Sequence, residues 1–350
     1  MIDKNAPVLV TGGSGYIASW VVKQLLEDGY TVHATVRNKS KVEKVEHLLK
    51  MQEAHPQKLH LFEADLLKNG SFEAAIKGCE LVIHMASPFK INVKDAQKEL
   101  VDPALNGTRN ILNEVNKTTT VKRVVLTSSV VAIYGDATDI KKTKNNVFTE
   151  KYWNTSSSLK HQPYAYSKTL AEKEAWDMQK AQDRWDLVVI NPAFVMGPSL
   201  SKRKDGESTA FMLQLLSGQF KSGAPALNFG YVDVRDVAQA HILAGTKSEA
   251  SGRHIMCENV YSMLDVANFL KEEYGDKFQL PKSQLPKFML YLVGPFLAGM
   301  SWKFINNNVG VDMRFDNSYS QENLGVRFRN VRETLRDHAQ QLMDSGMVKA

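Results

Sequence analysis

Apolar residues enter this chain as a short continuous run and then change period. Val8-Leu9-Val10 breaks into Gly12, Gly13 and Gly15, after which apolar positions resume at Ile17, Val21, Val22 and Leu25. The first pattern is a buried strand and the second is one face of an amphipathic helix. The alternation continues. Strands are predicted over 30–36, 59–63, 81–84 and 121–126, with a short helix over 72–76 and a long one over about 95–115 whose first turn Pro103 bends or splits. Strands alternating with helices imply an α/β chain with a doubly wound parallel sheet and ligands at the carboxyl ends of its strands.

From 136 to 163 the chain turns polar and reads as a surface excursion. A helix returns over 164–182 and a strand over 187–190 runs into Asn191-Pro192. After Gly197-Pro198 the pattern changes: 201–208 is charged and expected to be mobile, 211–216 is helical, and a strand at 231–234 leads into a helix from Asp236. Short helices and proline-marked loops follow. The expected organisation is a dinucleotide-binding Rossmann-type domain over 1–198, to which 228–246 returns, with 199–350 mainly a smaller, mostly helical substrate-binding lobe.

Composition narrows the class. The 350 residues are 43% apolar and 23% charged, ordinary for a globular protein, and no period repeats. The net charge of +6 is spread among offsetting acids, so it does not point to nucleic acid. Cys79 and Cys257 are too few for a disulfide scaffold and suggest a reducing compartment. There is no basic-then-apolar leader, and the apolar stretch 288–300, broken by Gly294 and Pro295, is about half the length that crosses a bilayer. The expectation is a cytoplasmic monomer or homodimer with no membrane partner.

The glycine turn supplies the first chemistry. Glycines let a backbone approach a ligand, and the N-terminus of the following helix offers unpaired N–H groups to a pyrophosphate. Both Gly13-x-Gly15-x-x-Ala18 and Gly12-x-x-Gly15-x-x-Ala18 suit that task, with Tyr16 and Ile17 opening the helix. At the end of the second strand, where an acid would bind a ribose 2′-hydroxyl, stands Arg37, with Lys44 one or two turns on. A cation there pairs with a 2′-phosphate, which favours NADP(H) over NAD. Asp65, before Leu66, either accepts from the adenine amino group or caps the next helix. Ala86 and Ser87 end the fourth strand, where small residues permit close passage of the cofactor.

Tyr164 and Lys168, four apart, share a helix face, so an ammonium beside the phenol is expected to lower its pKa toward the working range. Ser129, ending the fifth strand, would orient a substrate oxygen, with Ser128 the alternative serine. Asn106 either orders a water behind Lys168 or packs its helix. His84 and His161 have no partners at metal-ligand spacing, so no metal is expected.

Together Val10-Thr11-Gly12-Gly13-Ser14-Gly15-Tyr16-Ile17-Ala18, His84-Met85-Ala86-Ser87-Pro88-Phe89, Leu126-Thr127-Ser128-Ser129, Tyr164 to Lys168, Asn191-Pro192 and Val232-Asp233-Val234-Arg235-Asp236 resemble the extended short-chain dehydrogenase/reductase family. Within it the chain is similar to the dihydroflavonol reductase, cinnamoyl-CoA reductase and yeast methylglyoxal (aldehyde) reductase branch. The resemblance implies a catalytic Ser129, Tyr164 and Lys168. It also implies NADPH held by Gly12, Gly15, Arg37, Lys44 and Asp65, and a nicotinamide flanked by Pro192 and Val195. The reaction it implies is reduction of an aldehyde or ketone. Tyr134 stands where flavonoid reductases usually carry an asparagine, which favours a broader carbonyl substrate. Phe89, Tyr134, Phe211 and Met212 are the candidate pocket wall, each open to a plain core role. A nucleotide-sugar epimerase or dehydratase and a non-enzymatic NADPH sensor are the rival readings.

Overall fold

In the computed structural model, which describes residues 2–87, 93–204, 206–297 and 300–348, the apolar runs become strands and the amphipathic stretches become helices. The strands are β1 (Val8–Thr11), β2 (Val32–Val36), β3 (Leu59–Glu63), β4 (Leu81–His84), β5 (Arg123–Thr127), β6 (Asp186–Pro192), β7 (Phe194–Met196), β8 (Ala224–Pro225), β9 (Asn228–Asp233), β10 (Gly252–Met256), β11 (Asn259–Ser262) and β12 (Gln284–Leu285). The α-helices are α1 (Tyr16–Glu27), α2 (Val42–Ala54), α3 (Glu73–Ile76), α4 (Asp102–Lys117), α5 (Pro163–Lys180), α6 (Glu207–Leu216), α7 (Val234–Thr246), α8 (Met263–Tyr274), α9 (Lys287–Leu297), α10 (Trp302–Asn308) and α11 (Val331–Asp344).

Seven strands pair in parallel in the order β3-β2-β1-β4-β5-β6-β10. Side chains alternate across the sheet, so Val8 and Val10 pack with Val21, Val22 and Leu25 of α1 and Val237 of α7 on one face. Leu9 points to the other face and joins Val82, Val124 and, from α4, Ile111 and Val115. Covering both faces with helices explains the near-continuous apolar strands. The order reverses at β1, between β2 and β4, and this reversal opens a crevice at the carboxyl ends.

A second sheet, β11-β9-β7, packs against α6, α8 and α11 through Met196, Met212, Tyr231, Val266 and Leu335. The pair β8 and β12 lies with α9 and α10, where Leu227, Leu290, Ile305 and Val309 are buried together. Pro103 falls in the first turn of α4, after a π-helical turn over Gln97–Val101, so the predicted bend takes the form of a split.

Two expectations need correction. The polar stretch 136–163 is only in part a surface excursion: 141–142, 144–146 and 158–160 are exposed, but Asp136, Ile140, Phe148, Asn154 and His161 are buried and anchor it to the core. Its polar groups are satisfied internally. The Asp136 carboxylate accepts from His161 Nε2 at 2.8 Å, Gln162 Nε2 at 2.7 Å, Asn307 Nδ2 at 2.8 Å and Asn308 Nδ2 at 2.9 Å. The other correction concerns β10, whose Gly-Arg-His-Ile-Met carries no strand signature yet supplies the seventh strand. Among the described residues no helix is long and apolar enough to cross a membrane.

Candidate active site

The site is assembled at the reversal of strand order. Gly12 has φ +68°, and a Cβ added there would lie 3.1 Å from Ala86 Cα, so the turn after β1 rests against the residues that end β4. Gly13 is tight as well, its added Cβ falling 3.0 Å from Ala34 Cβ. Thr35 holds the turn from β2, with Oγ1 accepting from Gly12 N at 3.1 Å and its carbonyl accepting from Gly13 N at 2.8 Å. The helix that follows, α1, begins at Gly15 with no side-chain cap, so its first N–H groups are left to a ligand or solvent. A backbone cradle that excludes side chains at a bare helix N-terminus fits a pyrophosphate.

Two residues to which the sequence assigns no role knit this crevice together. Thr11 Oγ1 accepts from both Met85 N and Ala86 N at 3.0 Å, so its own proton goes to His84 Nδ1, 2.8 Å away. Burial, and then the charge of Lys168, push the His84 imidazole down to about 3, which keeps it neutral. The only signal in the sequence was position, directly before the glycines and at the end of β4.

Arg37 directly follows β2 and Lys44 lies in the first turn of α2, both exposed. Neither forms an ion pair with a described residue. Asp65 uses Oδ1 to accept from Leu67 N at 2.9 Å, which closes a local turn; it does not cap the next helix, α3, whose N-cap is Phe72. Leu66 packs beneath Gly107 of α4, where an added Cβ would meet Leu66 Cγ at 2.5 Å. Tyr16 extends from the start of α1 to donate to Gly197 O at 2.5 Å, and Trp20 Nε1 donates to Pro198 O at 2.8 Å.

Lys168 is 9% exposed, and its ammonium donates to Ser87 Oγ at 3.1 Å. Burial lowers it to about 8, opposed by the carboxylate of Glu172. Tyr164 opens α5 just after Pro163. Its phenol is raised, first by burial and then by the Glu207 carboxylate, so the lowering expected from Lys168 is not found. Desolvation disfavours the phenolate more than the ammonium, which is turned toward Ser87, favours it.

The two serines differ in what holds them. Ser128 Oγ is buried and donates to Glu172 Oε2 at 2.5 Å, whereas Ser129 Oγ is half-buried with longer contacts, 3.4 Å to Pro192 O and 3.3 Å from Val131 N. A small cavity joins Ser87, Lys168, Leu66, Ser128 and Glu172 beneath this surface. Pro192 ends β6, and Val195 in β7 is 8% exposed. Asn106 is exposed on α4 and does not face β5, while Asn110 one turn on is the buried asparagine, donating to Leu66 O at 3.0 Å.

Among the candidate wall residues, Tyr134 stacks on Phe148 with centroids 4.8 Å apart, and Phe211 sits edge-on to Phe194 at 5.3 Å. Met212 has no accessible surface and belongs to the core of the second sheet, so it is removed from the wall. Phe89 lies outside the described residues. Among the described residues no group of three His, Cys, Asp or Glu side chains is placed to hold a metal ion.

A parallel sheet with a glycine cradle at its switch point defines a dinucleotide-binding protein. The chain belongs to the NAD dependent epimerase/dehydratase family, the extended short-chain dehydrogenase/reductase group, whose family model matches residues 8–257. It is 45% identical over 283 residues to cinnamoyl-CoA reductase CAD2 of Medicago truncatula, covering 80% of this chain and 82% of that one. It is 36% identical to tetraketide alpha-pyrone reductase 1 of Arabidopsis thaliana, covering 99% and 98% of the two chains. Among solved structures it resembles Gre2 of Candida albicans in complex with NADPH, with TM-score 0.79, 30% identity and coverage of 97% and 99%.

Proposed function

We propose that the protein is an NADPH-dependent carbonyl reductase that converts an aldehyde or ketone to an alcohol. The observation that carries the reading is the buried ammonium of Lys168, turned 3.1 Å from Ser87 at the end of β4 and one helical turn from Tyr164. A charged group held there needs a polar partner that passes over Ser87, and a nicotinamide ribose meets that need. Names of the relatives support it, since cinnamoyl-CoA and tetraketide pyrone reductases both act on carbonyl carbon.

In this reading the backbone N–H groups of Tyr16 and Ile17 at the start of α1 hold the pyrophosphate, which Gly12 and Gly15 let approach by lacking side chains, and Arg37 with Lys44 pairs with the 2′-phosphate. Asp65, Leu66, Ala86 and Ser87 line the nucleoside path, and Pro192 and Val195 flank the nicotinamide. When bound, the reduced nicotinamide supplies the hydride. The chain supplies the proton and the alignment. Ser129 donates a hydrogen bond to the carbonyl oxygen, which polarises it, and Tyr164 delivers its proton to the developing alkoxide. Burial suits the phenol to this task, because it keeps the proton on Tyr164 through neutral pH. Lys168 orients the ribose and stabilises the phenolate left behind. Residues 199–350 mainly form the substrate lobe, with Tyr134 and Phe211 on the pocket wall.

The test is NADPH oxidation, with NADH in parallel, against benzaldehyde, cinnamaldehyde, methylglyoxal, a β-keto ester, cinnamoyl-CoA and dihydroquercetin. Reduction of aldehydes or the keto ester without dihydroquercetin is the expected result. Tyr164→Phe should abolish turnover, a loss of at least about a hundredfold, while fluorescence titration still shows NADPH binding. A fully active Tyr164→Phe variant overturns the mechanism.

A further inference from the structure

Behind Ser129 and Lys168 lies a carboxylate that the chemistry above does not use. Glu172 is 1% exposed and sits one turn beyond Lys168 on α5. Its Oε2 accepts from Ser128 Oγ at 2.5 Å and Asn191 Nδ2 at 2.8 Å. Its Oε1 accepts from Arg253 Nε at 2.5 Å and Trp176 Nε1 at 3.3 Å. Asn191 Nδ2 reaches on to Ser129 O at 3.1 Å. One buried carboxylate thereby ties α5, the loop after β5, the end of β6 and strand β10 to the backbone of Ser129.

Its counter-ion is fixed with equal care. Arg253 Nη1 donates to Glu150 O at 2.8 Å and Tyr152 O at 2.6 Å, and the guanidinium stacks 3.9 Å from the centroid of Trp153. Stability alone is a weak reason for such a pair, because well-packed apolar side chains of similar volume are often at least as stable. An apolar pair would supply neither the hydrogen bonds that set Ser128 and Asn191 nor a negative charge near Lys168.

We propose that Glu172 is a positioning residue that fixes the backbone carrying Ser129 and sustains the ammonium of Lys168, with Arg253 as its counter-ion. This rests on the reading that Ser129, Tyr164 and Lys168 carry the reaction. The groups around Lys168 leave the task to Glu172. His84 from β4 is neutral; Ser87, Ser128 and, from α4, Ala104 and Thr108 are uncharged; Tyr164 on α5 keeps its proton; and Arg253 from β10 lies behind Glu172. Burial pulls the proton off Lys168, and the charge of Glu172 opposes that pull.

The test compares Glu172→Gln, Glu172→Asp and the double variant Glu172→Gln/Arg253→Met with wild type and Tyr164→Phe. The double variant removes both charges, so it avoids leaving Arg253 buried and unpaired. In it kcat should fall about tenfold or more with KM for NADPH within about twofold, and the alkaline limb of the kcat profile should move lower, by less than in Glu172→Gln, where the positive charge of Arg253 remains. Glu172→Asp keeps the charge and should keep the limb in place. A folded double variant with wild-type kcat and an unmoved limb overturns the proposal. A double variant that cannot be isolated folded assigns the pair to folding and overturns the positioning role as well. If instead Tyr164→Phe is active, the failure belongs to the underlying reading and not to Glu172.

Discussion

Arg37 is exposed at the end of β2, where the chain offers no carboxylate to a ribose hydroxyl, and its charge is committed to no described partner. Cofactor choice should therefore rest on that side chain. A charge-assisted hydrogen bond contributes about 1.5–3 kcal/mol, and about 1.4 kcal/mol is tenfold in affinity. Arg37→Ala is expected to raise KM for NADPH about tenfold or more while leaving KM for NADH within about twofold. Steady-state kinetics with both cofactors decides it. Equal losses would mean that Arg37 shapes the loop and does not read the phosphate. At this scale the placement was legible: Arg37 directly follows β2, Lys168 lies buried on α5 one turn from Tyr164, and the glycines form the tight turn after β1. The sequence was uninformative where the partner is remote: nothing local distinguishes Ser128 from Ser129, because the carboxylate that claims Ser128 lies on α5.

The contact between β1 and β4 is the element-level feature on which the nucleotide crevice depends. Buried Thr11 accepts from two backbone N–H groups at the half-buried end of the other strand, so removing its hydroxyl takes away the partner of both. Thr11→Val, nearly isosteric, should cost about 1–3 kcal/mol in chemical denaturation and weaken NADPH binding, since Ala86 would no longer be held against Gly12. Thr11→Ser, which keeps the acceptor, should behave nearly as wild type. A Thr11→Val protein of full stability would show that water replaces the hydroxyl.

Strands such as β1 and β4 were readable because burial on both faces demands continuous apolar runs. Strand β10 was not, since Arg253 is buried by pairing with Glu172, and His254 by stacking on Tyr319 with centroids 4.9 Å apart. The stretch 136–163 failed for the same reason. Its polar residues are satisfied by partners such as Asn307 and Asn308, far along the chain, and polarity alone cannot tell a solvated loop from a buried network.

Across the whole molecule, burial keeps five histidines neutral. His47, His241, His254 and His338 are lowered from the ordinary 6.5 to about 4 and His84 to about 3, in each case chiefly by burial. Hydrogen bonding agrees at His338, whose Nδ1 accepts from Gly197 N at 3.3 Å, which a doubly protonated ring would not do. The unfolded chain takes up these protons near pH 6.5, whereas the folded chain refuses them until about 4 or below. The unfolded state thus binds more protons across that window, and stability falls as pH falls through it. Buried Asp136 acts with the histidines, since its desolvation is overcome by hydrogen bonds from Asn308, Asn307 and His161, which lower it. Four other carboxylates act in the opposite sense: buried Asp236 is raised to about 6, and the more accessible Glu150, Glu258 and Glu207 are raised as well, each first by desolvation. Their folded forms hold protons that the unfolded forms release, so they gain stability on acidification. Of these only Asp236 is displaced by an amount comparable to the histidines, and a tenfold change in acidity corresponds to about 1.4 kcal/mol for either kind of group. The histidines should prevail. Tm is expected to fall steadily from about pH 6.5 to about pH 4.5, before ordinary carboxylates protonate, and His338→Gln should make that fall shallower. Melting curves across the interval check it, and a Tm that holds level or rises would mean that the raised carboxylates outweigh the histidines.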